Sequence, residues 1–330
     1  MNTISTIRAL GLCSGGLDSM LSALILKEQG AEVEWISFET PFFSSARAVD
    51  AARELQIPLT VRDITDVYLD MLKNPSVGYG KNMNPCMDCH RLMFHLAGRV
   101  MTEKGFSFMF SGEVLGQRPM SQTRSALRYV EKHSGYDGYI LRPLSARRLP
   151  ETIPEKEGWV KRDLLLGLAG RSRKPQIALA EKYGITRFPP PAGGCLLTDK
   201  GFSRRLKDLF DHQTVISRND YELLKHGRHI RLNPNAKIIV GRTREDNQRI
   251  IDRSDRDRDV IIRMKEIPGP IVMMPGGGKK DEIILAASIC AGYAKAPNSR
   301  PVSVCVETSR EKEIVTVVAV PPRDISRLLI

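Results

Sequence analysis

The first half of the chain alternates short apolar runs with stretches whose apolar residues recur at helical spacing. Residues 7–13 form an apolar run that ends at a Gly-containing turn, and residues 17–29 then place Met20, Leu21, Leu24 and Ile25 at helical spacing. Residues 32–38 read as a second strand, 46–55 as a helix and 59–64 as a third strand. After a less regular stretch, residues 90–104 read as a helix and 106–111 as a fourth strand. This alternation predicts a parallel sheet wrapped by helices, a doubly wound α/β domain that binds its ligands at the carboxyl ends of the strands.

From residue 201 the texture changes. Two charged helical stretches, 202–210 and 219–225, lead into strand-like runs at 237–240, 260–264, 271–274, 302–306 and 314–320, with one helix at 281–294 among them. This is an α+β pattern, so the expected division is an α/β domain over residues 1–200 and a smaller α+β domain over 201–330.

Composition adds a polyanion to the picture. The 330 residues carry a net charge of +12, spread along the whole length. Such a surface suits nucleic acid, although ordinary solubilising charge has the same signature. The N-terminus is too short and too polar for a signal peptide, and no apolar run approaches a membrane span. A soluble cytoplasmic protein with no membrane partner is therefore expected. Its six cysteines should then be reduced thiols or ligands and not a disulfide framework.

The first strand runs into Ser14-Gly15-Gly16-Leu17-Asp18-Ser19, and a helix begins at once. Two glycines let backbone approach an anion, successive N–H groups at a helix start attract phosphate, and Ser14 and Ser19 add hydroxyls. Asp18 suits the Mg²⁺ that bridges phosphates better than phosphate itself. A plain tight turn with Ser or Asp as N-cap has the same look. The segment resembles the signature of the PP-loop ATP pyrophosphatases, which cleave ATP between the α and β phosphates, and it lacks the Lys of the Walker loop. That resemblance implies ATP and Mg²⁺ over residues 14–19, with the turn after the second strand, near Phe38 and Glu39, against the adenine.

A second signature follows the fourth strand: Ser111-Gly112-Glu113-Val114-Leu115-Gly116-Gln117, then Ser121-Gln122-Thr123 and Arg142-Pro143-Leu144. In this order the fragments are similar to those of tRNA 4-thiouridine synthases. The segment stands where a doubly wound sheet places its ligand, and Gln117, Gln122 and Thr123 offer neutral donors and acceptors. Gly112 and Gln117 join the expected ATP-binding set, and Arg118 and Arg124 are expected to neutralise the leaving pyrophosphate. Unlike that family, the sequence is expected to carry neither a THUMP domain before the loop nor a rhodanese domain after it.

Asn84-Pro85-Cys86-Met87-Asp88-Cys89 resembles a segment of the tRNA 2-thiouridine synthases, and Ala192-Gly193-Gly194-Cys195 supplies a third cysteine. All three are expected on flexible loops. The pair has three readings: part of an iron–sulfur site, a persulfide or redox pair, or half of a zinc site with His90 as a further ligand. Three thiolates leave one iron of a 4Fe-4S cluster free for hydrosulfide, which the resemblance favours for synthases without a rhodanese domain. Cys13, Cys290 and Cys305 read as structural: Cys290 shares a helical face with Ile283, Ala287 and Ala294.

Residues 237–247, Pro268-Gly269-Pro270 and the helix around Ala286 resemble the RNA-binding module of the NFACT proteins. The sequence departs from that family after Asp259, where Val260, Ile261, Ile262 and Arg263 replace an aromatic residue and a His. Arg228, Arg231, Arg242, Arg244, Arg249 and Arg263 are the expected phosphate contacts, which would position RNA without reading sequence. A solvated basic face is the bland alternative.

Together these resemblances imply ATP-dependent thiolation of a tRNA uridine, with Asp18, Cys86, Cys89 and Cys195 as catalytic residues and the last three as cluster ligands. Sulfide or a sulfur-donor protein would supply the sulfur. Three rivals remain: a PP-loop amidating or cyclising enzyme of nucleobase modification with a zinc site, a non-catalytic RNA-binding protein, and a sulfur-sensing or trafficking protein that would need no ATP. The sequence leaves the uridine, the position thiolated and the oligomeric state open.

Overall fold

A computed structural model describes residues 6–190, 194–297 and 300–330. The chain divides into two compact units, Met1–Thr198 and Asp199–Ile330.

The first unit is built on β1 (Arg8–Leu12), β2 (Glu32–Glu39), β3 (Leu59–Asp63), β4 (Phe108–Ser111) and β5 (Ile140–Leu141). Every pairing is parallel and the order is β3-β2-β1-β4-β5, the doubly wound sheet that the alternating pattern predicts. Helices α1 (Leu17–Glu28), α2 (Ala46–Leu55), α3 (Thr65–Lys73), α4 (Cys86–Lys104), α5 (Arg124–His133), α6 (Ile153–Lys156) and α7 (Lys174–Lys182) make the connections and the flanks. The chain winds outward from β1 through β2 and β3, then returns to the other side of β1 with β4. The ends of β1 and β4 are thus the switch point where such sheets open a crevice. The core is apolar on both faces, with Leu17, Leu21, Leu26, Trp35, Phe108 and Phe110 almost wholly buried. Gly11 is required in β1, because a Cβ there would stand 2.3 Å from the Phe110 ring and 2.6 Å from Trp35.

The second unit begins with α8 (Lys200–His212) and α9 (Arg218–Leu223). It continues with β6 (Arg228–Asn233), β7 (Ala236–Val240), α10 (Arg244–Asp252), β8 (Val260–Met264), β9 (Val272–Met274), α11 (Lys280–Tyr293), β10 (Val302–Glu307) and β11 (Lys312–Val317). Its sheet is antiparallel in the order β11-β10-β8-β9-β7-β6. One face packs Ile230, Ile238, Val240, Ile262, Val272 and Val304 against Ala286, Ala287, Ile289 and Cys290 of α11. The other carries Ile239 and Met273 against Leu223 and Ile250. This two-sided burial explains why Ile238, Ile239 and Val240 are consecutive apolar residues in β7.

Candidate functional site

The loop after β1 is shaped by close packing. Gly15 has φ +70°, and a Cβ on it would lie 2.2 Å from the Arg47 carbonyl, so only glycine fits. Gly16 differs: a Cβ there meets only Ser14 Oγ at 3.5 Å, and the space above it is free for a ligand. Gly16 caps α1 with extended backbone, and the Ser19 and Met20 N–H groups bond back to its carbonyl. The Ser19 hydroxyl also donates to Gly16 O at 2.7 Å and is buried, whereas Ser14 is exposed at the loop tip. Behind the loop, the Gly15 N–H meets Cys13 Sγ at 3.3 Å, and burial pushes that thiol up to about 11.

Asp18 faces the second signature. Its Oδ2 accepts from Gln117 Nε2 at 2.8 Å, while Oδ1 is sealed from solvent and has no partner among the described residues. An ionised carboxylate oxygen left bare in this way fits a cation such as the Mg²⁺ that escorts ATP. Gly112 acts on the loop from behind: a Cβ would lie 2.4 Å from the Asp18 carbonyl carbon, so Gly112 lets the end of β4 close onto the start of α1.

Phe38 is not in a turn. It lies within β2, which stays paired with β3 through Glu39 opposite Asp63, and its side chain is buried. The turn begins at Thr40, and Glu39 accepts from Ser45 Oγ at 2.7 Å.

Glu113 and Arg142, from two of the motif fragments, are a buried ion pair. Arg142 Nε donates to Glu113 Oε2 at 3.0 Å, His90 Nδ1 lies 2.8 Å from Oε1, and Ser111 Oγ donates at 3.1 Å. Burial alone would raise this carboxyl, but the Arg142 charge and His90 outweigh it and hold Glu113 at about 2. His90 thus spends Nδ1 on Glu113, which leaves only its Nε2 for any metal. The Glu–Arg spacing was visible in the sequence; nothing in it said that the two side chains meet.

Cys86 and Cys89 are not on a flexible loop. They occupy the first turn of α4. Asn84 Nδ2 donates to Cys86 Sγ at 3.2 Å, and Asp88, fully buried, accepts from the Val77 N–H at 2.8 Å. Cys195 follows the described Gly194, while Ala192 and Gly193 lie outside the described residues. The Cys195 segment is tied to the same place: Asn82 Nδ2 donates to Thr198 O at 2.7 Å, and the Leu196 N–H to Phe42 O at 3.0 Å.

The three thiols share one locality. Burial raises Cys89 well above the usual thiol range, and the neighbouring Cys195 and Cys86 raise it further. Burial likewise takes Cys195 to about 11, with Cys86 adding to it and the Arg118 charge opposing. Tyr68, from α3, stands beside all three; its hydroxyl meets the Cys89 thiol in a contact looser than a conventional hydrogen bond. The donor chemistry fits a soft metal or cluster. The thiols are not drawn to ligating distance, however: among the described residues no three His, Cys, Asp or Glu side chains converge as a metal-binding group.

Arg118 is exposed and acts on Cys195, whereas Arg124 donates to Arg148 O at 2.9 Å. Arg124 also lines a cavity of about 670 Å³ beside β5 that includes no residue of the phosphate loop or the thiol group.

In the second unit the expected phosphate contacts divide. Arg228, Arg244, Arg249 and Arg263 are exposed. Arg231 instead forms a two-pronged pair with Asp208 at 2.6 and 2.9 Å, and Arg242, also exposed, pairs with Asp246 at 2.7 Å. Their charges are compensated within the unit, Arg231 most fully, because its side chain is only 17% exposed. Asp259 is buried in a turn, where it accepts from the Gly276 and Asp255 N–H groups.

No helix among the described residues is long and apolar enough to cross a membrane. Residues 5–149 match the family described as Thiamine biosynthesis protein (ThiI), and residues 227–328 match the NFACT protein RNA binding domain. Solved structures give more distant likenesses. A 4-thiouridine synthetase–RNA complex with bound ATP is 20% identical over 55% of this chain and 54% of that one, with a TM-score of 0.34. The chain thus spans about half the length of that synthetase. A predicted subunit of tRNA methyltransferase from Methanocaldococcus jannaschii is 17% identical over 53% and 76% of the two chains, with a TM-score of 0.34. The C-terminal part of the fibronectin/fibrinogen-binding protein from Streptococcus suis is 13% identical over 48% and 79%, with a TM-score of 0.29. Likeness at this level says nothing of what the present chain binds. The chain thus carries a PP-loop domain of the ThiI family over residues 5–149 and an RNA-binding domain of the NFACT type over residues 227–328.

Proposed function

We propose that the chain is an ATP-dependent tRNA-modifying enzyme that adenylates a uracil carbonyl oxygen and replaces that oxygen by sulfur. The observation that carries this reading is the adjacency of Gln117 and Arg118. Gln117 donates to Asp18 of the phosphate loop, and the charge of Arg118 acts on Cys195 of the thiol group. One short segment thus serves both a nucleotide cradle and a set of three thiols.

Residues 14–19 would hold ATP, and Asp18, whose Oδ1 has no partner among the described residues, would hold the Mg²⁺ that offsets phosphate charge. The uracil oxygen attacks the α-phosphorus, the bond to the β-phosphate breaks, and pyrophosphate leaves. Hydrosulfide then adds to the activated carbon, AMP departs with the former carbonyl oxygen, and the sulfur proton is lost; no redox change occurs. Catalysis is mostly positioning and charge stabilisation. Arg118 serves charge stabilisation on the thiol side. Cys86, Cys89 and Cys195 would hold a 4Fe-4S cluster, which supplies an iron with an open position for sulfide when bound. In the 227–328 domain, the exposed Arg228, Arg244, Arg249 and Arg263 grip tRNA phosphates. The catalytic unit is taken as residues 1–200 and the RNA-binding unit as 201–330, and a cytoplasmic setting suits reduced thiols.

The test uses anaerobically purified full chain with unmodified tRNA, Mg²⁺·ATP and sulfide. With the unaltered chain, pyrophosphate release together with a thiouridine in the digested tRNA is expected, and Cys89→Ala or Cys195→Ala should lose the thiouridine while still releasing pyrophosphate. Pyrophosphate without a thionucleoside would replace thiolation by another PP-loop chemistry, and absence of both would favour the non-catalytic RNA binder. Iron and acid-labile sulfide near roughly four each per chain would support the cluster. Zinc or no metal would sink it in favour of a zinc site or a persulfide pair.

A further inference from the structure

We propose that Gln176, outside the ThiI-matching segment, is a positioning residue for Asp18 that acts through Gln117. The inference rests on the ATP reading of the loop. Gln176 lies in the first turn of α7 and is 1% exposed. Its Nε2 donates to Gln117 Oε1 at 3.2 Å, and Gln117 Nε2 donates to Asp18 Oδ2 at 2.8 Å.

The polarity of this relay is dictated from one end. An ionised carboxylate only accepts, so Gln117 must present its NH₂ to Asp18. Its oxygen is then turned to Gln176, which must donate in its turn. Amide oxygen and nitrogen are assigned from such networks, and any other pair of orientations sets acceptor against acceptor at one of the two contacts. Two oxygens at the ends, Asp18 Oδ1 and Gln176 Oε1, are sealed from solvent and have no hydrogen-bond partner among the described residues. A buried glutamine with an unpaired carbonyl costs stability, so packing alone does not explain it. The relay gives it a purpose: Gln176 fixes Gln117, Gln117 occupies Oδ2, and Oδ1 is the atom left for a cation.

The backbone holds the parts in register. The Gly170 N–H donates to Leu115 O at 2.7 Å, Gly116 lies against Gly170, and α7 packs on α1, which carries Asp18.

The test is a double-mutant cycle on the full chain with Gln117→Leu, Gln176→Leu and the double variant. Mn²⁺ binding in the presence of ATP is read by electron paramagnetic resonance, beside ATP binding without metal. A hydrogen bond to a charged group is the larger loss, so Gln117→Leu should weaken metal binding by about tenfold and Gln176→Leu by about fivefold. The double variant should match Gln117→Leu alone, and metal-free ATP binding should hardly change. Multiplying effects, or equal losses with and without metal, would overturn the proposal. Gln176→Met, which keeps the length and removes the amide, replaces the Leu variant if that fails to fold. Should the unaltered chain show no metal-dependent ATP binding, the ATP reading fails. The relay is then judged by the same cycle on the unfolding midpoint, where non-additivity supports it and additivity overturns it.

Discussion

Glu113→Gln removes the anionic half of a buried cluster without changing its shape. The side chain is 7% exposed and Arg142 is 3% exposed, so solvent screens the pair little. A carboxyl held at about 2, against 4.5 when free, corresponds to roughly 3 kcal/mol at neutral pH. Removing one partner of a buried guanidinium costs about 3–5 kcal/mol, and Glu131, 3.6 Å from Arg142 Nη1, keeps the loss at the lower end of that range. The sign follows from the depressed value. The contribution is fully present above the unfolded value and is lost as pH falls through the folded one. Both tryptophans, Trp35 and Trp159, belong to the Met1–Thr198 unit, so their fluorescence follows that unit during urea unfolding. The gap between the unaltered chain and Glu113→Gln should be about 3 kcal/mol from neutral pH down to about pH 5, then close as pH falls toward about 2. A gap that stays constant across the acid range, or one below about 1 kcal/mol at neutral pH, would refute the reasoning.

Other expectations concern the loop and the second unit. Gly15→Ala should unfold or severely destabilise the first unit, since its Cβ would meet the Arg47 carbonyl at 2.2 Å, whereas Gly16→Ala should melt normally and lose ATP binding; calorimetry with ATP separates the two. Gly112→Ala, with a Cβ 2.4 Å from the Asp18 backbone, should lower both the melting temperature and ATP affinity. Asp208→Asn leaves Arg231 and the buried Lys237 without their anion and should cost about 3 kcal/mol by circular dichroism, far more than Arg263→Ala at an exposed 3.9 Å pair with Glu307. Arg244→Ala should weaken tRNA binding and reduce its salt dependence by about one counterion, whereas Arg231→Ala should lower stability instead; filter binding over a salt series checks both.

Most elements were legible because their physics is local. The period of apolar residues gave β1 to β4, α1, α2, most of α4 and the α11 helix, and the Gly-rich turn after β1 marked where the sheet would bind an anion. Elements with weak patterns were missed: α3, α5, α6, α7, α10, β6 and the two-residue β5. The loss matters, since α3 brings Tyr68 to the thiols and α7 brings Gln176 to the phosphate loop. The placement of Cys86 and Cys89 on a loop also failed, because α4 begins at Cys86 and not at His90.

By itself the sequence determined which residue types were available at the loop, at the end of β4 and around the cysteines, because motif spacing is a property of the chain. Only the tertiary structure decided which of them meet. Arg142 was a motif residue until folding buried it against Glu113, 29 positions away, and Arg231 was a phosphate contact until Asp208, 23 positions away, neutralised it. Gln117 reaches Asp18 across 99 positions. Such pairings depend on burial and on strand order, which local periodicity does not encode, and they determine whether a charge serves a ligand or the fold.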